Sequence, residues 1–350
     1  MSTQPLTSSN TPLTIAVDAM GGDFGPPVIV PAVLTVLDEQ PDIKFIMVGQ
    51  EAVVTPLLGQ RAQRYGDRLQ IRHASQIVEM GEKPQDAMRK KKDSSMRVAL
   101  DLVKAGNADA CVSAGNTGAL MATARFVLKT IAGIDRPAIL SRIPAHHGHT
   151  HMLDLGANAD CSPEHLLQFA VMGSVVAADL HDQPRPRVGL LNIGSEDIKG
   201  NELVQEAAKL LQRSSLNYIG FVEGNDIFGG DVDVVVTDGF TGNVALKSME
   251  GAARMFGATL KTEYTRTWLR RLSFMMSIPA LKAIKKRFDP GQHNGASMVG
   301  LNGVVIKSHG SADSASFANA IRVAIVEARK GVPSQVSQLL QEQVQCNIQK

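Results

Sequence analysis

The residues best suited to chemistry lie in four short runs of small and polar residues: DAMGGDFGPP at 18–27, SAGNTGA at 113–119, NIGSEDIKGN at 192–201 and DGFTGNVALK at 238–247. Each follows an apolar, strand-like run and leads into a helical pattern. Glycine at such a junction lets backbone approach a ligand closely, and the helix start behind it presents unpaired N–H groups, so the natural ligand is an anion, phosphate above all. Tight turns alone would explain one such loop; four together favour an anion site. There is no GxxxxGK[ST] run and no GxGxxG after a strand, so the anion need not belong to a nucleotide.

Other reactive types admit two readings each. Asp18, Asp23, Asp154 and Asp238 stand at strand ends, where carboxylates bind metal or brace loops. The tract from His146 to His151 holds four histidines but no cysteine or carboxylate, and is expected in a variable loop rather than around a metal. Cys111 alternates within an apolar strand and reads as a small core residue, whereas Cys161 lies near a helix start and is the more reactive candidate.

The elements that must position these groups alternate. Strand-like runs occur at 14–20, 44–49, 69–74, 108–115, 152–157, 187–194, 218–224 and 232–239, with helical patterns such as TGALMATARFVLKTI and NELVQEAAKLLQRS between them. The pattern predicts an α/β fold: a doubly wound, mainly parallel sheet with helices on both faces, which brings the four loops to its carboxyl edge. With 350 residues, 44% of them hydrophobic, the chain is long enough for a large core. We expect one two-lobed domain over 14–340, with tails at 1–13 and 341–350. The first 13 residues are polar without an apolar centre, unlike a signal peptide, and no apolar run reaches 18 residues.

A net charge of +2 and only 4% aromatic residues argue against nucleic acid as partner. Three scattered cysteines fit a reducing cytosol. Local basic clusters do occur. One contains Lys83, Arg89, Lys90, Lys91, Lys92 and Arg97; the other, within an element expected over 254–290, mixes lysines and arginines with Trp268, Leu272, Phe274, Met275, Met276 and Ile278. Such a basic, apolar stretch suits a membrane surface, with Ser277-Ile278-Pro279 expected to break the helix and Leu281, Ile284 and Phe288 on one face. A buried hairpin or a dimer contact is the competing reading.

Six runs in order carry a resemblance that spans about residues 14–340: VDAMGGD (17–23), SAGNTGALM (113–121), LDLGANADCSPEH (153–165), GLLNIGSEDIKGNEL (189–203), DVVVTDGFTGNVALK (233–247) and GLNGVVIKSHGSAD (300–313). The chain resembles the bacterial phosphate acyltransferases of phospholipid synthesis. Ser297 and Ala312 depart from the family pattern without touching Lys199 or Asn243. The resemblance implies a fold similar to phosphotransacetylases and the isocitrate and isopropylmalate dehydrogenases, a homodimer, and formation of acyl-phosphate from acyl-[acyl-carrier protein] and phosphate, feeding phosphatidic acid synthesis. No cofactor and no metal ligand is assigned from the sequence.

That reaction asks little of a general base, because phosphate dianion is already a nucleophile near neutral pH. It needs the anion held in line and the tetrahedral oxyanion stabilised. On the resemblance, Lys199 is the cation and Asn243 the neutral donor; otherwise they read as a solvated loop lysine and an asparagine bonding its own turn. Asn116, Thr117, Asn158, Gly242 and His309 are expected to line the substrate or phosphate site. Lys90, Lys91 and Lys92 are expected to dock the acidic carrier protein, and Phe274, Met275, Met276 and Ile278 to face lipid, beside a membrane glycerol-3-phosphate acyltransferase. The enzyme is thus expected to be cytoplasmic and peripherally membrane-associated. A CoA-dependent phosphotransacetylase for short acids is the alternative within the fold; a β-decarboxylating dehydrogenase and a non-catalytic membrane adaptor fit less of the sequence.

Overall fold

The computed structural model describes residues 12–181, 184–288 and 291–348. In chain order the elements are β1 (Leu13–Asp18), α1 (Pro26–Glu39), β2 (Ile43–Gly49), α2 (Glu51–Leu58), α3 (Arg61–Tyr65), β3 (Leu69–His73), α4 (Pro84–Lys90), α5 (Ser95–Lys104), β4 (Ala110–Ser113) and α6 (Thr117–Leu128). Next come β5 (Ala138–Pro144), β6 (His149–Leu153), α7 (Pro163–His181), β7 (Arg187–Leu191), α8 (Glu202–Arg213), β8 (Asn217–Val222) and β9 (Val234–Val236). The chain continues through α9 (Gly239–Thr265), α10 (Trp268–Phe288), β10 (Ala296–Val299), β11 (Val304–Lys307), α11 (Ser314–Lys330) and α12 (Val332–Ile348).

The chain divides into two compact units, residues 1–128 with 303–329 and residues 129–302 with 330–350. In the first, β3-β2-β1-β4-β11 pair in that order, all parallel. Ile15, Val17, Phe45, Met47, Val112 and Phe317 are buried there. In the second, β10-β5-β6 pair antiparallel and β6-β9-β7-β8 parallel. Its core includes Leu153, Phe169, Met172, Leu190, Leu211 and Val234. Each fully buried side chain of this size contributes about 1.5–3 kcal/mol over its exposed state.

The α/β class with a sheet dominated by parallel pairs agrees with the sequence pattern. Its antiparallel segment does not appear in that pattern: β10 has only four residues, and AILSRIP and ASMV carry no turn-bounded alternation. The histidine tract is a second difference. Instead of lying wholly in a loop, it turns at Gly148 and enters β6, where His149 meets His293 edge-on at 5.0 Å and His151 is fully buried. Pairing with β5 and β9 on either side draws these residues into the sheet despite their polarity.

Proline does not break the basic element. Helix α10 runs through Pro279, with Ile278 half-buried; an interior proline removes one hydrogen bond without obliging the helix to end. The side chains of Ile284 and Phe288, part of the expected apolar face, lie outside the described residues, as do residues 1–11 of the expected N-terminal tail and residues 289–290 and 349–350. Residues 341–348, expected as a tail, continue α12. Among the described residues no helix is long and apolar enough to cross a membrane.

Candidate active site

In the second unit, chemistry is organised around Asp154, which follows β6. Its side chain is fully buried. Oδ1 accepts from the N–H groups of Ile139 (3.0 Å) and Ala157 (3.1 Å), and Oδ2 from Asn158 N (2.7 Å) and Nδ2 (2.9 Å). Burial raises the pKa of this carboxyl, and the N–H donors oppose that rise. Asp154 therefore braces the 154–158 loop. Asn158, expected to line the substrate site, gives one amide hydrogen to Asp154 and the other to Pro137 O at 2.8 Å. It holds the loop's shape.

Onto this loop packs the start of α9. A β-carbon on Gly242 would fall 2.0 Å from Asp154 O, and one on Gly239 2.5 Å from Asn158 O. Only glycine permits that approach. The Gly242 amide donates to Asp238 O at 2.9 Å, so this residue serves by lacking a side chain. Asp238 caps the helix, accepting from Thr241 N (2.8 Å) and Thr241 Oγ1 (2.7 Å). The docking leaves Asn243 exposed in the first turn, with Oδ1 3.4 Å from where a Gly156 β-carbon would stand.

Beside α9 opens a cleft of about 380 Å³ lined by Ala159, Asp160, Cys161, Asn201, Leu203, Asp238, Phe240 and Thr241. Asn201 ends the NIGSEDIKGN loop and caps α8 by accepting from Val204 N at 3.0 Å. Lys199, two residues earlier, is exposed, and its stem passes over Gly194. Lys199, on a loop, and Asn243, at the start of α9, thus stand on separate segments of one unit, and among the described residues no hydrogen bond joins their side chains. Arg136, which the sequence pattern did not single out, donates to Asp160 O at 3.0 Å and adds a cation near Cys161.

Neither described cysteine is primed as a nucleophile. Burial pushes the Cys161 thiol up to about 11, and its sulfur lies 3.6 Å from Asn158 O. Cys111 is fully buried and its pKa is also raised by burial. Both are protonated near neutral pH.

The first unit gathers its own glycine loops. Val17 pairs with Val112 and Lys307 with Ser113, which sets Asp18, Ser113 and Lys307 at one level of three adjacent parallel strands. Ser113 Oγ donates to Asp18 Oδ2 at 2.7 Å. Buried Lys307 donates to Ala114 O at 3.3 Å and to Ser308 O, tying the SAGNTGA loop to the SHGSAD loop. In the sequence this lysine stands out only as part of the run GLNGVVIKSHGSAD. Asn116 caps α6 through Ala119 N (2.9 Å) and reaches Met80 O (2.6 Å) and Glu82 O (3.1 Å). Thr117 is exposed at the first position of α6. His309 is exposed, with Nδ1 2.8 Å from Ser311 Oγ. Among the described residues no group of three or more histidines, cysteines or carboxylates is arranged to hold a metal.

Both basic surfaces hold part of their charge in ion pairs, Arg266 and Arg270 with Glu263 on the α9 and α10 pair. Lys90 pairs with Asp86 at 2.8 Å, and Lys91 with Glu82 at 2.6 Å and Ile77 O at 2.5 Å. Lys92 is exposed. On the α9 and α10 pair, Met275 and Met276 are 59% and 82% exposed, whereas Phe274 meets the Tyr264 ring edge-on at 5.3 Å.

A family described as "Fatty acid synthesis protein" matches residues 13–335. Proteins named "Phosphate acyltransferase" from Methylococcus capsulatus and Nitrosococcus oceani are each 58% identical to this chain over 325 residues, 93% of it and 96% of their own length. One from Legionella pneumophila is 50% identical over 321 residues, 91% of this chain and 94% of its own. Among solved structures, a phosphotransacetylase from Streptococcus pyogenes superposes with a TM-score of 0.58 at 17% identity, covering 91% of this chain and 94% of its own. The EutD phosphotransacetylase from Staphylococcus aureus gives 0.57 at 19%, over 91% and 95%. At that identity the likeness establishes the fold.

Proposed function

Because this chain belongs to the phosphate acyltransferase family, we propose that it moves the acyl group of an acyl-[acyl-carrier protein] thioester onto inorganic phosphate. The observation that carries this reading is kinship over nearly the full chain. A phosphate oxygen attacks the thioester carbonyl, the C–S bond breaks, and acyl-phosphate and the carrier thiol are released. The thiolate takes its proton from phosphate or water, a light demand for a group of pKa about 8.5. Lys199 offsets the charge of the incoming phosphate, and the Asn243 amide donates to the oxyanion. Gly242 sets the position of Asn243 by admitting α9 against the 154–158 loop. Asn158 holds the 154–158 loop of the second unit, and Asn116, Thr117 and His309 shape the glycine loops of the first. The raised thiol pKa of Cys161 supports direct attack over an acyl-enzyme.

The same reading extends outward. The enzyme is cytoplasmic, works as a homodimer, and takes its donor on the basic surface around Lys90, Lys91 and Lys92, where Lys90 and Lys92 are exposed. The α9 and α10 pair rests on anionic lipid through Met275 and Met276, with Phe274 and Ile278 supporting them, and hands acyl-phosphate to a membrane glycerol-3-phosphate acyltransferase. A CoA-dependent phosphotransacetylase for short acids is the second reading, favoured by the fold likeness. Comparing long-chain acyl-[acyl-carrier protein] with acetyl-CoA as donor separates them. Lys199→Ala and Asn243→Ala are each expected to lower kcat about 100-fold while folding normally, the loss typical of one charge-stabilising donor. Wild-type turnover in either variant removes that residue from the mechanism.

A further inference from the structure

The loop from Asn192 to Asn201 is not held by burial. Ile193 and Ile198 are 82% and 87% exposed, and Ser195, Glu196, Asp197 and Lys199 are exposed as well. Yet the backbone of residue 199 is fixed on both sides. Its N–H donates to Glu196 O at 2.9 Å. Its carbonyl accepts from two side-chain amides: Asn192 Nδ2 at 3.2 Å, from the residue that follows β7, and Gln205 Nε2, from the first turns of α8. The Gln205 amide also reaches Asp197 O at 2.8 Å, so one side chain clamps two loop carbonyls.

The surroundings are shaped to admit this clamp. Asn192 is only 8% exposed, and its Oδ1 accepts from Ile193 N at 2.9 Å, which fixes the direction of the amide. Gly200 has φ of +97°, and a β-carbon there would fall 2.6 Å from Asn192 Oδ1. A β-carbon on Gly194 would lie 3.2 Å from Lys199 Cγ, so the absent side chain clears the track of the lysine stem. A long, rotamer-rich cation contributes most to catalysis when its backbone is fixed beforehand.

We infer that Asn192 and Gln205 are positioning residues of the acyl-transfer reaction, acting on it through the Lys199 carbonyl. The inference rests on the reading of Lys199 as the cation of that reaction. Neither residue touches substrate; each sets where the ammonium group stands when phosphate is bound.

The test is a double-mutant cycle on the full chain, with acyl-[acyl-carrier protein] and phosphate as substrates and carrier thiol release as readout. Gln205→Met removes both donors while keeping length and helix propensity. It is expected to lower kcat about 10-fold, change the KM for the carrier thioester less than 2-fold, and leave the unfolding midpoint close to wild type. In a Lys199→Ala background the same substitution is expected to cost less than 2-fold. Asn192→Ser is expected to follow the same pattern, although it sits deeper and its unfolding midpoint must be checked in parallel. Wild-type kcat for Gln205→Met beside a crippled Lys199→Ala overturns the inference, as does an equal loss in both backgrounds, which would mark a structural role. Wild-type activity in Lys199→Ala is a different failure, because it sinks the reading on which the inference stands.

Discussion

Asp18 sits at the end of β1, fully out of water, with the hydroxyls of Ser95 and Ser113 among its hydrogen-bond donors. Burial raises its pKa above the ordinary 3.8, and those hydrogen bonds only partly oppose it. A carboxyl whose folded pKa exceeds its unfolded pKa stabilises the fold at low pH and loses that contribution as pH rises through the folded value. Asp18→Asn is therefore expected to flatten the pH dependence of stability above about pH 4, read by urea unfolding at several pH values. An unchanged slope would mean that the carboxyl is not the group responsible. For Cys161, a thiol at about 11 rather than 9.0 leaves roughly 100-fold less thiolate at pH 8. Iodoacetamide should label it correspondingly more slowly than a small exposed thiol, and rapid labelling at pH 8 would restore it as a candidate nucleophile.

At the level of elements, the pair α9 and α10 is the clearest case of a sequence signal that needed geometry to resolve. Basic and apolar residue types were legible, but how far each apolar group faces outward was not: Ile278 is half-buried, Phe274 is exposed yet meets the Tyr264 ring, and Met275 and Met276 are more exposed still. Each lysine or arginine near an anionic bilayer contributes on the order of 1 kcal/mol, so a few cations with two inserted methionines suffice for reversible binding. Met275→Asp with Met276→Asp is expected to weaken co-sedimentation with anionic vesicles at least 10-fold and to leave activity in solution within 2-fold. Unchanged sedimentation would contradict the lipid assignment. Loss of the dimer instead would make this surface a subunit contact. The glycine loops were legible for a different reason: Gly239 and Gly242 are required by an approach so close that no other residue fits, and such residues leave a recognisable run. Lys307, Arg136 and Gln205 were not, because a buried cation or a clamping amide looks in sequence like any other polar residue. The antiparallel pairing of β10 and β5 was hidden because neither strand alternates and β10 has only four residues, which leaves little periodic signal.

At the scale of the whole molecule, two units each place glycine-rich loops at the carboxyl ends of parallel strands, and the second unit carries both proposed catalytic groups. The parallel-dominated fold was readable from alternating strand-like and helical runs and the family from six motifs in order along the chain; the direct route of acyl transfer rests on local environment, which no motif records. The account predicts that phosphate itself attacks the thioester. The most direct test mixes stoichiometric enzyme with acyl-[acyl-carrier protein] in phosphate-free buffer, then adds phosphate, following carrier thiol and acyl-phosphate together. No thiol should appear before phosphate is added, and afterwards one acyl-phosphate should form for each thiol released. A burst of one thiol per enzyme without phosphate would reveal an acyl-enzyme, and steady release without phosphate would reveal a hydrolase; either contradicts the mechanism proposed for this protein.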